Sequence, residues 1–358
     1  MRNRQMIFTG GRLEQWRRDV DAPRPGEVLL RTEIAGVCGT DAHRLDGDLP
    51  DPGMPVCFGH EGIGRIEALG DGVTHDHGGA PVGVGDLVYW TPSGTTVGTV
   101  PPMGWPPPAD VPNPAAFQDH PTLAPGNVFC RIPDDTPPEA VIAFGCAMPT
   151  ALGGMARLGG VRNGQTVVVQ GCGPVGLSAT LLASLTLARD VIVIGAPDDR
   201  LRAAETLGAT ATLPLLSTTA EERRAFVLER TRGRGADVVI EAAGRMPAFA
   251  EGMALLAPEG RYLVLGLYSG HGTVAFDPIR LNNLSQSVIG SMGPTSLDDL
   301  RTTVQLAQRH GARLRLADLV THRFGLDDLA SAIRVARSGE AIKAIVVPAL
   351  DRAETDRA

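Results

Sequence analysis

The stretch Val167-Val168-Val169-Gln170-Gly171-Cys172-Gly173-Pro174-Val175-Gly176 decides the fold. A run of β-branched residues enters a Gly-x-Gly-x-x-Gly turn, and a helix-forming segment, Leu177 to Ala188, follows it. Gly171 permits the tight turn, Gly173 lets backbone approach a pyrophosphate, and Gly176 lets the helix pack on the strand. Pro174 and Val175 lead from the turn into that helix, whose N-terminal free N–H groups and partial positive charge favour an anion. The motif predicts a dinucleotide site, against the alternative of a plain glycine turn in an unrelated α/β protein. Three further apolar runs, Val191 to Ile194, Val238 to Glu241 and Tyr262 to Gly266, alternate with helical stretches such as Arg200 to Leu207, closed by Gly208. Continuous apolar strands belong to a parallel sheet buried on both faces, so residues 151–289 read as a doubly wound α/β domain.

Outward from that domain the texture changes. A chain of 358 residues has room for two domains, one of which can be interrupted by the other. From Gly26 to about Tyr89, short β-rich runs (Glu27 to Arg31, Gly62 to Ala68, Asp86 to Trp90) are separated by Gly, Pro and Asp clusters. Between Pro92 and Pro125 the prolines crowd too closely for helix or central strand, which predicts a long loop. Its aromatic neighbours Trp90, Trp105 and Phe117 suggest an ordered lid or contact surface, with ordinary packing as the plainer reading. After about Gly290 a helix, Asp327 to Ser338, and a last strand, Ala344 to Val347, are expected to complete the first domain. The reading is a β-rich domain of residues 1–150 and 290–358, with 151–289 set within it.

Composition removes several function classes. Hydrophobic residues make up 43% and charged residues 20%, as in ordinary globular proteins. A net charge of -7 without a basic run leaves no electrostatic footprint for nucleic acid, so no nucleic-acid partner is expected. The longest apolar stretch, Pro174 to Ala188, is too short to span a bilayer, so no membrane helix is expected either. Five cysteines, odd in number and widely spaced, argue against a secreted disulfide framework. Together with an N-terminus that lacks a signal-length apolar segment, they predict a cytoplasmic protein with thiolates available for metal.

Two segments carry metal-competent side chains between glycines: Gly36-Val37-Cys38-Gly39-Thr40-Asp41-Ala42-His43 and Gly59-His60-Glu61-Gly62-Ile63-Gly64. Alone, Cys38 reads equally as a small buried hydrophobe and His60 as a core histidine. Their joint presence upstream of a dinucleotide fold favours catalytic zinc, because a thiolate, an imidazole and one more ligand leave an open position.

These motifs resemble the medium-chain zinc alcohol dehydrogenase family over nearly the whole chain. The resemblance implies a Rossmann domain within a GroES-like catalytic domain, and hydride transfer between a nicotinamide cofactor and a small-molecule alcohol or carbonyl. It implies one catalytic zinc held by Cys38, His60 and a third ligand, Cys146, which lies 25 positions before Gly171. Glu61 resembles the acid that can replace water or substrate on the metal. Thr40 resembles the hydroxyl that bonds the substrate oxygen, His43 the outer histidine of a proton relay, and Asp41 the carboxylate that orients the ligand histidine. Their plainer readings are a turn hydroxyl, a surface histidine and a helix cap. Lys343 matches a late basic residue on the cofactor pyrophosphate, against a solvated lysine, and Gly266 and Leu267 are expected to offer backbone to the nicotinamide. Many relatives hold a second, structural zinc with four cysteines; here Ser93 to Thr99 stands in that place without a thiolate, so one zinc per chain is expected.

Cofactor choice turns on the second strand, which ends in Gly195-Ala196-Pro197-Asp198-Asp199-Arg200 without the usual ribose-binding acid. Arg200 suits the 2′-phosphate of NADP, whereas Asp198 and Asp199 repel it, and the balance favours NAD. A zinc-free quinone or enoyl reductase on the same scaffold is the nearer alternative, and a non-enzymatic NAD-binding protein the remoter one. A homodimer is the expected assembly on symmetry grounds, with a tetramer next.

Overall fold

Every residue of the strands Thr166–Gln170 and Asp190–Gly195 is buried, so the sheet they belong to is covered on both faces, as an all-apolar run requires. The structure, a computed structural model, describes residues 2–49, 53–94, 113–269, 272–293 and 296–351. It divides into two units, one of residues 1–146 and 296–358 and one of residues 147–295.

The second unit is built on six parallel strands in the spatial order Ala211–Pro214, Asp190–Gly195, Thr166–Gln170, Ala236–Glu241, Leu256–Val264 and Ser287–Gly290. Numbered along the chain this is the 3-2-1-4-5-6 order of a doubly wound fold, whose reversal leaves a crevice at the carboxyl ends of its first and fourth strands. Those strands are Thr166–Gln170 and Ala236–Glu241, in register from Val167 opposite Val238 to Gln170 opposite Glu241. Val168, Ile192, Val239, Met253 and Tyr262 form the core beneath them. The first helix, Pro174–Ser184, starts at Pro174 rather than Leu177 because proline's fixed φ and missing N–H suit the first helical position. It stops at Ser184, whose hydroxyl donates to the carbonyls of Leu181 and Leu207. The sixth strand ends at Gly290, where the returning segment was expected to open, and the chain re-enters the first unit at 296.

The first unit carries a seven-stranded sheet in which Val320–Phe324 and Lys343–Val346 extend the N-terminal strands Val28–Gly36, Gly62–Leu69, Leu87–Gly94 and Asn127–Arg131, while Thr122–Leu123 pairs with Val28–Gly36 off the main path. The C-terminal tail therefore completes this sheet, through antiparallel pairing of Ile345 with Gly36. A three-stranded sheet of Arg12–Asp19, Arg2–Thr9 and Val56–Cys57 accompanies it. Leu30, Ile66, Val88, Trp90, Phe117 and Ile333 share one core.

The proline-rich region departs from the expectation of a loop beginning at Pro92. The third antiparallel strand runs on to Gly94, and residues 115–119 are threaded into the fold by Phe117, which donates to the Phe58 carbonyl and accepts from Met6 N–H. Trp90 and Phe117 are 0% and 1% exposed and pack in the core, not on a contact surface. The Trp90 indole donates to the Pro114 carbonyl and lies over Gly62, where a Cβ would approach the ring to 2.2 Å. Trp105 lies outside the described residues. Among those described, no helix is long and apolar enough to cross a membrane.

Candidate functional site

Three chain segments of the first unit bring Cys38, His60, Glu61 and Cys146 together, with one ligand atom from each lying within 4.8 Å of all the others. Cys38 ends the loop after the Val28–Gly36 strand and caps the helix Gly39–Leu45. His60 and Glu61 precede the Gly62–Leu69 strand, which is zipped to the first by Gly36 N–H donating to the Glu61 carbonyl at 2.9 Å. Cys146 sits just before the helix Ala147–Leu158. The two sulfurs are 3.6 Å apart. A tetrahedral zinc bonded at about 2.3 Å to each thiolate would set them about 3.8 Å apart, so the donor set fits that ion in both type and spacing.

Within this cluster the two sulfurs are within hydrogen-bonding distance of each other. The hydrogen bond from Cys146 holds Cys38 well below the usual thiol range, and the same bond, with burial, holds Cys146 well above it. Asp41 has two roles that the sequence offered as alternatives. One carboxylate oxygen accepts the Cys38 N–H at 2.9 Å, pinning the helix start, and the other lies 3.5 Å from His60 Nδ1. Burial pushes the His60 imidazole down, but Asp41 and then Cys38 outweigh it and raise it well above the usual range. With Nδ1 turned to Asp41, the ring has Nε2 left to offer a ligand.

Lys343, expected on the cofactor pyrophosphate, lies in this cluster: Nζ forms an ion pair with Glu61 Oε2 and donates to the Val37 carbonyl at 3.1 Å. The two side chains are each 1% exposed, and an ammonium so deeply buried persists only beside a carboxylate. The other Glu61 oxygen accepts the Cys146 N–H at 3.0 Å. Two glycines make room for this carboxylate, since a Cβ at Gly36 or at Gly145 would stand 2.0 or 2.1 Å from Oε2. Gly145 also holds a φ of +47°, which side chains adopt reluctantly, and its carbonyl accepts the Tyr89 hydroxyl. No sequence motif announced the Lys343–Glu61 pair, because 282 positions separate its members.

Thr40 reaches the cluster, with Oγ1 3.6 Å from Cys38 Sγ. His43, three residues on along the same helix, shares Thr40's face. Its Nδ1 lies 2.8 Å from Asp48 Oδ2 at a partly exposed position. Asp48 was not foreseen; its signal is only that Asp48 N–H bonds back to the His43 carbonyl past the helix end.

In the second unit the glycine turn has the shape its spacing predicts. Gly171 adopts a φ of +103°, and a Cβ at Gly176 would lie 1.9 Å from the Gly171 carbonyl oxygen. Gly173 caps the helix that begins with Pro174 and Val175, and nothing lies within 4 Å of where its Cβ would be. A Cβ at Gly195 would meet Cys172 Sγ at 2.4 Å, so the cysteine of the glycine turn fills the space a ribose-binding acid would need. Arg200 stands nearby on the helix Asp198–Thr206, its guanidinium pushed down by burial and partly restored by Cys172. Asp199 is exposed and paired with Arg202. Gly266 and Leu267 follow the Leu256–Val264 strand, with Leu265 and Gly266 N–H both donating to the Glu241 carbonyl.

Comparison with known proteins agrees with both halves of this geometry. Residues 24–99 match the family described as alcohol dehydrogenase GroES-like domain, and residues 174–309 the family described as zinc-binding dehydrogenase. The chain is 42% identical to 5-exo-hydroxycamphor dehydrogenase of Pseudomonas putida over 94% of its own length and 95% of that protein's. It is 30% identical to an alcohol dehydrogenase of Cupriavidus necator, over 90% and 91% of the two chains. The solved structure of an alcohol dehydrogenase from Thermotoga maritima superposes with a TM-score of 0.85 at 28% identity, covering 97% of this chain and 99% of that one. The chain belongs to the zinc-dependent medium-chain dehydrogenase family. It is an oxidoreductase of the alcohol dehydrogenase class, acting on alcohols and carbonyls.

The Lys343–Glu61 pair makes a thermodynamic prediction. Lys343→Met leaves a buried carboxylate uncompensated and should lower stability by about 3–5 kcal/mol in urea unfolding. Adding Glu61→Gln to that variant should restore most of the loss; an equal loss in single and double variants would show that the ion pair is not its source.

Proposed function

We propose that the protein interconverts a bulky secondary alcohol and its ketone with one zinc ion and NAD(H). The observation that carries the zinc reading is the convergence of Cys38, His60, Glu61 and Cys146, with a sulfur spacing suited to a tetrahedral ion. Zinc, when bound there, supplies a Lewis acid that lowers the pKa of the alcohol or polarises the carbonyl. Cys38, His60 and Cys146 hold it, Asp41 orients His60, and Lys343 holds the Glu61 carboxylate close by as a fourth donor. The Thr40 hydroxyl takes the proton of the alcohol and His43 delivers it toward water, its ring steadied by Asp48. This complete donor set disfavours the zinc-free reductase alternative. The sequence has no cysteine between Cys57 and Cys130, which supports a single zinc per chain.

The cofactor's pyrophosphate is assigned to Gly171, Gly173, Pro174, Val175 and Gly176 at the helix N-terminus, and its adenosine ribose to the neighbourhood of Gly195 and Arg200. Gly266 and Leu267 offer backbone to the nicotinamide. Against a 2′-phosphate, Asp198 and Asp199 in the first turn of their helix outnumber Arg200, which favours NAD. The substrate class follows the hydroxycamphor dehydrogenase likeness: an alicyclic secondary alcohol. Closely spaced Cys38 and Cys146 that form no disulfide suit a reducing cytoplasm.

The assembly we propose is a homodimer joined at Ser287–Gly290. That strand is at an edge of the parallel sheet, and Val288 on it and Met292 just after it are 41% and 79% exposed. An open ladder with apolar flanks invites a second strand.

Two measurements test these readings. Purified protein should hold about one zinc per chain and oxidise an alicyclic secondary alcohol faster with NAD than with NADP. Cys146→Ser should lose the metal and at least about a hundredfold in turnover, the scale of losing a principal catalytic electrostatic element. Full activity in zinc-free wild-type protein would move the chain to the zinc-free reductases. By light scattering the wild type should be dimeric and Val288→Lys monomeric; a monomeric wild type or a dimeric variant would refute the edge-strand assembly.

A further inference from the structure

Glu241 is fully buried at the carboxyl end of its strand, opposite Gln170 and next to the glycine turn. Its oxygen Oε1 accepts the N–H groups of Ala243 and Gly244, each at 2.7 Å, while its main-chain carbonyl accepts those of Leu265 and Gly266. One residue thus ties the loop 242–245 to the segment 265–268. The two touch each other, and the loop 242–245 touches the glycine turn, at distances that exclude side chains. A Cβ at Gly266 would lie 2.3 Å from Gly244 N and 2.5 Å from Glu241 Oε2, one at Gly244 would lie 2.5 Å from the Leu267 carbonyl oxygen, and one at Gly171 would lie 2.9 Å from the Ala242 carbonyl carbon.

The remaining carboxyl oxygen, Oε2, is out of water and has no hydrogen-bond partner among the described residues, and the same holds for the Tyr268 hydroxyl. Tyr268 is nonetheless the side chain that acts on this carboxyl, and burial raises the Glu241 carboxyl above its ordinary range despite the backbone donors around it. An acceptor and a donor atom, both out of water and close enough to act on one another yet without a bond of ordinary geometry, leave that hydrogen bond to be tightened by a small closure of the segment that bears Tyr268.

We infer that Glu241 and Tyr268 are a positioning pair for the cofactor, whose hydrogen bond locks the 265–268 segment against the loop 242–245, and through it against the glycine turn, when a dinucleotide is seated. The inference rests on the proposal that Gly266 and Leu267 contact the nicotinamide. Neither side chain enters the chemistry; their effect is on the affinity and placement of the ring.

The test is a fluorescence titration of the purified full-length protein with NADH, paired with thermal unfolding in its absence. Tyr268→Phe should weaken NADH roughly tenfold and raise the cofactor KM, with kcat at saturation and the cofactor-free Tm unchanged. Glu241→Gln should stay within about threefold of wild type, because its amide can accept from Ala243 and Gly244 while donating to the Tyr268 oxygen. A Tyr268→Phe variant with wild-type NADH affinity, or one that loses only Tm, would reduce the pair to packing. If the wild type bound neither NADH nor NADPH, the dinucleotide reading would fall and the positioning role with it.

Discussion

A thiolate and a carboxylate packed within a few ångströms of one another and out of water repel unless positive charge stands among them. In this chain Lys343 supplies part of that charge, and a bound zinc would supply the rest. Much of the first unit serves this constraint. The Gly62–Leu69 strand carries Glu61 to the end of the Val28–Gly36 strand, Gly36 and Gly145 yield the space for its carboxylate, and the C-terminal strand Lys343–Val346 returns to deliver the ammonium. Asp41 ties this cluster to local structure, with one oxygen accepting the Cys38 N–H at the start of the Gly39–Leu45 helix and the other lying 3.5 Å from His60 Nδ1.

The second unit solves a different problem by omission of side chains. At the crevice where the sheet reverses, three loops meet with backbone against backbone: Gly171 against Ala242, Gly244 against Leu267, and Gly266 against Gly244. Such close approach keeps main-chain N–H groups at a surface where an anion can be held, and it makes the loops dependent on one another for position. Cys172 shows the same logic at a specificity point. Its sulfur stands where the side chain of residue 195 would be, so an acid there is excluded by volume.

What was legible in the sequence was local. The strand–turn–helix of Val167 to Gly176 reads directly, because β-branched runs and glycine spacing act over a few residues. The grouping of Cys38, His60 and Cys146 came from resemblance; the residues alone left Cys38 and His60 open to plainer readings. Long-range pairing was not legible. Lys343 was read as a cofactor residue because nothing near it in the chain reveals Glu61, and the Asp48 contact with His43 has no motif. Helix starts slipped where periodicity was trusted over capping, as at Pro174. The loop between Pro92 and Pro125 was misjudged in part because proline content hides pairing supplied from elsewhere, here Met6 and Phe58 on either side of Phe117.

The central claim is that Cys38 and Cys146 bind one zinc together with lighter donors. Zinc K-edge X-ray absorption on the purified protein tests it most directly. The account predicts two sulfurs at about 2.3 Å and the remaining ligands as nitrogen or oxygen at about 2.0–2.2 Å. A shell of four sulfurs, or one of nitrogen and oxygen alone, would contradict it.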